Sequence, residues 1–291
     1  MLFTGTGVAI ITPFFNDGTV DYDAMRRIAN HCIDGGVDYI VALGSTGEAA
    51  TLNANEKREV VRCIVDAVAG RVPIVTGIGG YNTAEVVENI KHADFKGISG
   101  LLSVTPYYNR PSHAGLIAHF KAVASASPVP VILYNVPSRT GINMTAETTL
   151  TLAHEVDNIV AVKESSGALS QVMKIVKERP DNFSVVSGDD AIALPLMAVG
   201  GHGVISVAAN AFPREVTTII RNSQDDNYVE AQAAHYSLLD FFDALFIDGN
   251  PSGIKAALNI LGFSQNVLRL PLVPVSEKTY SKLKEIIQLK S

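Results

Sequence analysis

The stretch from Asn158 to Gly167 reads NIVAVKESSG, and it places a lysine at the end of a short, β-branched apolar run. This run, bounded by polar residues and glycine, predicts a strand buried on both faces, as in a parallel sheet. Side chains alternate along a strand. The predicted faces are Ile159, Ala161, Lys163 and Ser165 on one side, and Val160, Val162 and Glu164 on the other.

If the first face lines a barrel, the Lys163 amine lies in a partly dehydrated cavity. Burial disfavours the ammonium form, and a neutral amine can attack a carbonyl to form a Schiff base. The alternative is a strand-end lysine that reaches solvent beside Glu164. The stretch alone leaves both interpretations open.

Composition limits the classes of protein to consider. The chain has 291 residues, 47% of them hydrophobic and 18% charged, with a net charge of -6. This length suits one large α/β domain or two small ones. Because there is no basic cluster, we expect neither nucleic acid nor a membrane surface as a partner.

The two cysteines, Cys32 and Cys63, fall in predicted helices and in no CxxC or Cys/His cluster, so no metal site is predicted. The first residues do not resemble a signal peptide, and no apolar run approaches the roughly 18 residues of a spanning helix. We therefore expect a cytoplasmic protein.

Short apolar strands alternate with amphipathic helices along the chain. The predicted strands are 7–12, 39–43, 74–77, 101–105, 131–135, 159–163, 183–187 and 204–207. The predicted helices between them are 21–34, 55–69, 83–94, 113–126, 145–155, 169–177, 191–199 and 213–222. Eight such units predict an α/β fold, namely a closed (β/α)8 TIM barrel. An open sheet is less favoured, because its first strand is often followed by GxGxxG, and here the first strand is followed by Pro13-Phe14-Phe15.

Three further helices are predicted after the eighth unit, at 228–246, 251–261 and 277–289. They show no composition shift or linker that marks a second globular domain. We therefore divide the chain into a barrel catalytic domain, 1–224, and a C-terminal helical extension packed on the barrel, 225–291.

Chemistry in such a barrel lies at the carboxyl ends of the strands. The loop after the second strand, GSTGE at 44–48, has glycines around two hydroxyls and suits a carboxylate or phosphate, although an ordinary turn has the same composition. Paired tyrosines, Tyr107 and Tyr108, follow the fourth strand, where they could cover a pocket or fill a subunit interface.

The fifth strand carries Tyr134 one strand before Lys163, and Arg139 follows in a turn that Pro137 stiffens. Arginine is a planar fork suited to a carboxylate. Gly188 and Ile205 are expected to line the cavity floor. Together, a lysine nucleophile, a tyrosine, an anion loop and an arginine indicate a Schiff-base lyase or synthase acting on a 2-oxo acid.

These residues resemble the pyruvate-dependent Schiff-base aldolase family over essentially the whole chain. The segments that carry the resemblance are GSTGE at 44–48, TPYYNRP at 105–111, YNVPSRTG at 134–141 and VKE at 162–164. The resemblance implies that Lys163 forms the imine with pyruvate and that no separate cofactor takes part. It also implies a proton relay formed by Tyr134, Ser45 and Tyr108. A neighbouring subunit would supply Tyr108.

The resemblance further implies a substrate pair. Thr46 would help bind the pyruvate carboxylate, and Arg139 would hold the carboxylate of L-aspartate 4-semialdehyde, a reaction of lysine and diaminopimelate biosynthesis. The expected assembly is a homotetramer built as a dimer of dimers. Three residues, Ala50, Glu85 and Tyr107, match a candidate inhibitor site for lysine, but Ala54 and Lys57 replace histidines often found there.

Two alternatives stay open at this point. Ser45 occupies the position at which the synthases usually have threonine. The loop sequence with serine is the one seen in sialic acid lyases. The chain could thus be an N-acetylneuraminate lyase or a 2-keto-3-deoxy sugar acid aldolase, although those lyases lack an arginine matching Arg139. A catalytically silent barrel that senses a small acid is the third interpretation, against which Lys163 and Tyr134 argue.

Overall fold

A closed barrel of eight parallel strands forms the centre of the protein, whose computed structural model describes residues 1–290. The strands pair in sequence order, and the last pairs with the first. They are β1 (Gly5–Ala9), β2 (Tyr39–Ala42), β3 (Ile74–Gly77), β4 (Gly100–Val104), β5 (Val131–Asn135), β6 (Ile159–Glu164), β7 (Ser184–Ser187) and β8 (Gly203–Ser206).

Helices connect and surround the strands. The α-helices are α1 (Tyr22–Asp34), α2 (Ala54–Val68), α3 (Thr83–Lys91), α4 (His113–Ala126), α5 (Pro137–Thr140), α6 (Ala146–Glu155), α7 (Leu169–Glu178), α8 (Asp190–Ala198), α9 (Pro213–Gln224), α10 (Tyr228–Phe246), α11 (Ser252–Ile260) and α12 (Glu277–Gln288). Two short 3-10 helices lie at Ala49–Thr51 and Ala208–Asn210. The predicted fold class, a TIM barrel with extra C-terminal helices, is confirmed.

Most predicted elements agree with the structure to within a few residues. Strand β1 begins and ends earlier than predicted, because the apolar run continues past Ala9 into a loop that leaves the barrel. The segment that begins at Pro137 was expected to be a turn and is a one-turn helix. Proline is tolerated there, because the first residue of a helix needs no hydrogen-bonded N–H.

Strand β6 departs from simple alternation at its start. Its pairing with β5 shifts by one residue between Ile159 and Ala161, so that Val160 is an extra residue. Ile159 therefore packs outside the barrel with Val162, whereas Val160 contacts the interior cluster. The predicted faces were wrong for these first two residues. Beyond the irregularity the alternation resumes, and Lys163 faces the inside, as expected.

The C-terminal helices share one hydrophobic core with the barrel. Leu238 of α10, Ile254 of α11 and Leu283 of α12 are fully buried in the same cluster as Ile28 of α1 and Ile64 of α2. Full burial of a large aliphatic side chain contributes about 1.5–3 kcal/mol. The extension is thus packed on the barrel. Within residues 1–290, no helix is both long and apolar enough to span a membrane.

Candidate active site

Strand β6 places Lys163 inside the barrel at the carboxyl end of the strands. The side chain is buried, and its Nζ lies 4.3 Å from the centroid of the Tyr134 ring. The two residues are direct partners in the pairing of β5 with β6. In the part of the chain that the structure describes, no carboxylate forms an ion pair with this amine. Lys163 is therefore a buried amine whose nearest aromatic neighbour carries a hydroxyl.

The carboxylate next to Lys163 in the sequence is occupied elsewhere. Glu164 is buried and accepts hydrogen bonds from Asn135 Nδ2 at 3.1 Å, Gln171 Nε2 at 3.0 Å and the Ser166 amide at 2.7 Å. These donors lie away from the barrel interior. The alternative of a lysine that reaches solvent beside Glu164 is therefore wrong.

A cavity of about 200 Å³ opens at the carboxyl ends of the strands. It brings together six of the predicted site residues: Ser45, Thr46, Tyr134, Arg139, Lys163 and Gly188. Its size suits a small acid. A groove of about 900 Å³ between α4, α6 and α7 is larger, but it includes none of these residues. No cluster of His, Cys, Asp and Glu in residues 1–290 is arranged to hold a metal ion.

Gly188 leaves room for the lysine. A Cβ built on Gly188 would lie 1.9 Å from Ser165 Oγ and 2.8 Å from Lys163 Cε, which is closer than real Cβ contacts. Any side chain at this position would displace the lysine or the serine. The predicted lining role of Gly188 thus has a steric basis. Ile205 is fully buried in the barrel interior but does not line the cavity, and its substrate-binding role stays a prediction.

The loop of residues 44–48, here called the GSTGE loop, forms one wall of the cavity. The Gly47 amide donates to Gly44 O at 3.0 Å, and the Glu48 amide donates to Ser45 O at 3.1 Å. The amides of Ser45 and Thr46 have no hydrogen-bond partner in the structure of residues 1–290. Adjacent unpaired amides beside a cavity are a binding feature for an anion such as a carboxylate.

Thr46 and Arg139 are joined through a residue that the sequence interpretation missed. Asn250 donates from Nδ2 to Thr46 Oγ1 at 3.0 Å, and its backbone oxygen accepts from Arg139 Nη2 at 3.1 Å. Asn250 Oδ1 is buried and has no partner among the described residues. The side chain of Arg139 is exposed at the cavity mouth. One guanidinium edge is thus fixed, and the rest can receive a carboxylate.

Tyr134 is buried, but its hydroxyl makes no hydrogen bond with any residue from 1 to 290. A buried tyrosine hydroxyl usually has a partner. Because Tyr134 lines the cavity beside Lys163, the hydroxyl is available to a molecule bound there.

Tyr108 does not reach the cavity of its own chain. It is 89% exposed and has a positive φ of 69° in the loop after β4. Its predicted place in the site of a neighbouring subunit stays a prediction. The preceding Tyr107 makes an edge-on contact with Tyr81, with ring centroids 5.3 Å apart.

The candidate inhibitor residues lie at the same end of the molecule as these tyrosines. Partial burial raises the pKa of Tyr107, and the nearby Tyr81 and Glu85 act in the same direction, so Glu85 and Tyr107 are neighbours. Ala50 is exposed in the 3-10 helix that follows the GSTGE loop. A lysine-binding role for this group stays a prediction.

Two cavity residues have signals that the sequence interpretation used only in part. Ser165 was assigned to the face of Lys163, and its hydroxyl is buried without a partner within residues 1–290. Asn250 lies between α10 and α11, outside the eight strand–helix units, so a search of strand ends cannot find it. In the sequence, Asn250 is marked only by the segment Gly249-Asn250-Pro251, which separates two apolar helical segments.

Known proteins match this chain along almost its whole length. The dihydrodipicolinate synthetase family matches residues 2–290. A relative from Parabacteroides distasonis, named 4-hydroxy-tetrahydrodipicolinate synthase, is 50% identical over 284 residues, which cover 98% of this chain and 96% of the relative.

Solved structures give the same result. Dihydrodipicolinate synthase from Aquifex aeolicus has a TM-score of 0.95 and 43% identity, covering 99% of this chain and 98% of that one. The enzyme from Cyanidioschyzon merolae, solved with lysine bound, has a TM-score of 0.95 and 41% identity, covering 98% and 97%. This chain is a member of the dihydrodipicolinate synthetase family.

Proposed function

We propose that this protein condenses pyruvate with L-aspartate 4-semialdehyde through an imine on Lys163, giving 4-hydroxy-tetrahydrodipicolinate. The observation that carries the proposal is the placement of the Lys163 amine, buried and without an ionic partner in residues 1–290, beside Tyr134 in a small cavity. Membership of the family and the names of the relatives support this activity.

The first step is attack of the Lys163 amine on the ketone carbon of pyruvate. The C–N bond forms, the ketone oxygen leaves as water, and two protons must move to that oxygen. Tyr134 is the nearest hydroxyl-bearing aromatic residue, and Ser45 lines the same cavity. We assign the proton transfers to Tyr134, Ser45 and Tyr108 of a neighbouring subunit. The unpaired amides of the GSTGE loop, with Thr46, hold the pyruvate carboxylate.

Loss of a proton from the methyl carbon converts the imine to an enamine. That carbon then attacks the aldehyde of the second substrate. Arg139 at the cavity mouth has free donors for the carboxylate of L-aspartate 4-semialdehyde. The aldehyde oxygen takes up a proton and becomes a hydroxyl group. The amine of the semialdehyde then attacks the imine carbon, the C–N bond to Lys163 breaks, and the ring closes with the free lysine restored, so no cofactor other than the lysine imine is needed.

Cleavage of a sugar acid is not favoured. With Ser45, the loop has the sequence seen in sialic acid lyases. However, relatives at 43–50% identity over almost the whole chain carry the synthase name. Serine keeps the hydroxyl that the relay requires. A polyol substrate gives Arg139 no carboxylate to bind at the cavity mouth.

The assembly belongs to the same proposal. Tyr108 is too exposed to act in its own cavity, and Tyr81 and Tyr107 beside it are also exposed. We propose that this face packs against a second copy, so that Tyr108 completes the partner's site, within a tetramer formed as a dimer of dimers. We place the enzyme in the cytoplasm, where its substrates are metabolites.

Trapping and turnover together test the proposal. The protein is incubated with pyruvate and borohydride, and mass spectrometry should find the reduced pyruvyl adduct on the peptide that contains Lys163. Turnover is then measured with L-aspartate 4-semialdehyde, N-acetylneuraminate and 2-keto-3-deoxy sugar acids. The proposal predicts the semialdehyde as the fastest substrate. An adduct on another lysine, or faster cleavage of a sugar acid, would overturn it.

A further inference from the structure

A second buried lysine lies beneath the GSTGE loop, outside the cavity. Lys255 of α11 forms an ion pair with Glu48, the last residue of the loop, and neither side chain has any exposed surface. Its Nζ also donates to Val267 O at 2.9 Å and lies 4.0 Å from the centroid of the Phe14 ring. The lysine thus joins the C-terminal extension to the end of the loop.

Arg269 extends this contact into a network. Its backbone amide donates to Glu48 Oε2 at 3.1 Å, so both carboxylate oxygens of Glu48 are bound by the C-terminal part of the chain. Its guanidinium binds Glu56 of α2 with a bidentate pair of 2.6 and 2.8 Å. It also donates to Gly18 O at 2.7 Å. Lys255 and Arg269 thus form ion pairs with Glu48 and Glu56, respectively.

The GSTGE loop needs such support because its backbone is strained at both ends. Leu43, just before it, has φ of 55°, and Glu48, its last residue, has φ of 51°. Side-chain-bearing residues adopt this left-handed conformation at a cost of about 1–3 kcal/mol, and they keep it only where the surroundings impose it. Lys255 and Arg269 supply that constraint at Glu48.

The segment just before α11 holds the loop at a second point. Asn250 lies five residues before Lys255, and it donates to Thr46 Oγ1 at 3.0 Å. One short segment thus contacts the loop at Thr46, inside the cavity, and at Glu48, beneath it. The unpaired amides of Ser45 and Thr46 adjoin the first of these two contacts, at Thr46.

We infer that Lys255 is a positioning residue: by pairing with Glu48, it fixes the GSTGE loop in the conformation that receives the carboxylate of pyruvate. The inference rests on the proposed function, since it concerns the same substrate. Lys255 touches no substrate. Its loss should weaken pyruvate binding while the chemistry at Lys163 continues once pyruvate is bound.

The test removes both charges, because a variant that removes one leaves the other buried and unpaired. The variant Lys255→Met/Glu48→Gln is compared with the wild type and with Lys121→Met/Glu155→Gln. The latter breaks an exposed ion pair of 2.7 Å on α4 and α6, away from the cavity. Thermal unfolding is followed for each protein, so that kinetics are measured only where all of them are folded.

The decisive measurement is the pyruvate concentration that gives half-maximal borohydride trapping at Lys163. We expect it to rise by about tenfold in Lys255→Met/Glu48→Gln, the order of one hydrogen bond to a charged group. Turnover at saturating pyruvate should change by less than about threefold, since the interaction is made equally in the ground and transition states. The control pair should leave both values unchanged.

The positioning role and the proposed function are rejected by different results. A folded double variant with the wild-type half-saturation would reject the positioning role and leave the proposed function intact. If this double variant does not fold, Lys255→Leu/Glu48→Gln, which also removes both charges but leaves a smaller apolar side chain, is tested in the same way and must show the same rise. A wild type that pyruvate and borohydride do not modify would reject the proposed function itself.

Discussion

Two buried lysines, Lys163 and Lys255, differ in what surrounds the amine. Lys163 faces a cavity and, within residues 1–290, has no ionic partner, whereas Lys255 is fully enclosed against Glu48, Val267 O and the Phe14 ring. An amine with every neighbour satisfied has no free direction for a substrate. Burial alone therefore does not identify a nucleophilic lysine. Open space beside the amine identifies it.

The largest expected effect comes from the same substitution at both lysines. Lys163→Met should abolish pyruvate trapping and lower turnover by several orders of magnitude, while the free energy of unfolding changes by less than about 1 kcal/mol. Lys255→Met should instead destabilise the fold by about 3–5 kcal/mol, because Glu48 is left buried without its cation. Urea unfolding and mass spectrometry measure the two effects. Equal loss of stability in both variants would contradict the comparison.

The hydroxyl beside Lys163 gives the next effect. Tyr134→Phe removes a group that has no partner in the structure of residues 1–290, so the fold should be retained. General acid–base catalysis contributes about 10²- to 10⁴-fold, and turnover should fall within that range. Imine formation, followed by rapid trapping, should slow as well. Tyr39→Phe, at another buried tyrosine of the barrel interior, is the matched control. Wild-type rates in Tyr134→Phe would show that Tyr134 only packs.

Space beside the amine is tested at Gly188. Gly188→Ala places a Cβ against Lys163 Cε and Ser165 Oγ, so the lysine must move. A displacement of about 1 Å can lower a rate by about 10²-fold, and imine formation should slow to that extent. Gly115→Ala is the control, because Gly115 lies in α4, away from the cavity, and its added Cβ would come no closer than 3.2 Å to Pro111 Cβ. Equal trapping rates in wild type and Gly188→Ala would show that the lysine tolerates the loss of space.

Arg139 acts farther from the lysine. Hydrogen bonds to a charged group contribute roughly 1.5–3 kcal/mol, about 10- to 150-fold in affinity. Arg139→Ala should raise KM for L-aspartate 4-semialdehyde within that range, while pyruvate trapping at Lys163 stays unchanged. Steady-state kinetics with each substrate varied in turn separate the two values. A raised half-saturation for pyruvate instead would place the guanidinium on the first substrate.

The smallest effect concerns pH. Burial lowers the pKa of Lys255 from 10.5 to about 8, with Arg269 acting in the same direction and Glu48 opposing it. Between these values the unfolded chain binds more protons at Lys255 than the folded protein does. This group's contribution to the free energy of unfolding therefore rises as pH increases from about 8, by at most about 1.4 kcal/mol per pH unit.

Urea unfolding from pH 8 to pH 10 measures this term, with wild type compared to Lys255→Met/Glu48→Gln. The difference in the free energy of unfolding between the two proteins should shift in favour of the wild type as pH rises. Parallel curves would show that Lys255 does not change its protonation in this interval.

The sequence predicts the fold well because its signals are local. Each strand is a short apolar run and most of the helices have an apolar face, so eight repeats identify the barrel before any contact is known. Lys163 and Tyr134 were found because they end such runs. The faces of Ile159 and Val160 were wrong, since a one-residue shift in pairing depends on the neighbouring strand and leaves no mark in β6 itself.

Contacts between distant segments could not be predicted in this way. Asn250 is 204 residues from Thr46, and Arg269 is 251 residues from Gly18. Nothing in the residues around either partner specifies the other, because each interaction exists only when the C-terminal helices pack on the finished barrel. The predicted roles of Tyr108 and of the candidate inhibitor residues depend on a second subunit or ligand, and stay predictions.

The link between Arg269 and Gly18 has a consequence for synthesis on the ribosome. A nascent chain that has emerged as far as β8 contains Lys163 and Tyr134, but it lacks Asn250, Lys255 and Arg269. Its Glu48 has no counter-charge, and its strained loop is unsupported. On the role inferred for Lys255, the GSTGE loop reaches its carboxylate-binding conformation only after Asn250, Lys255 and Arg269 have left the exit tunnel and packed against the barrel.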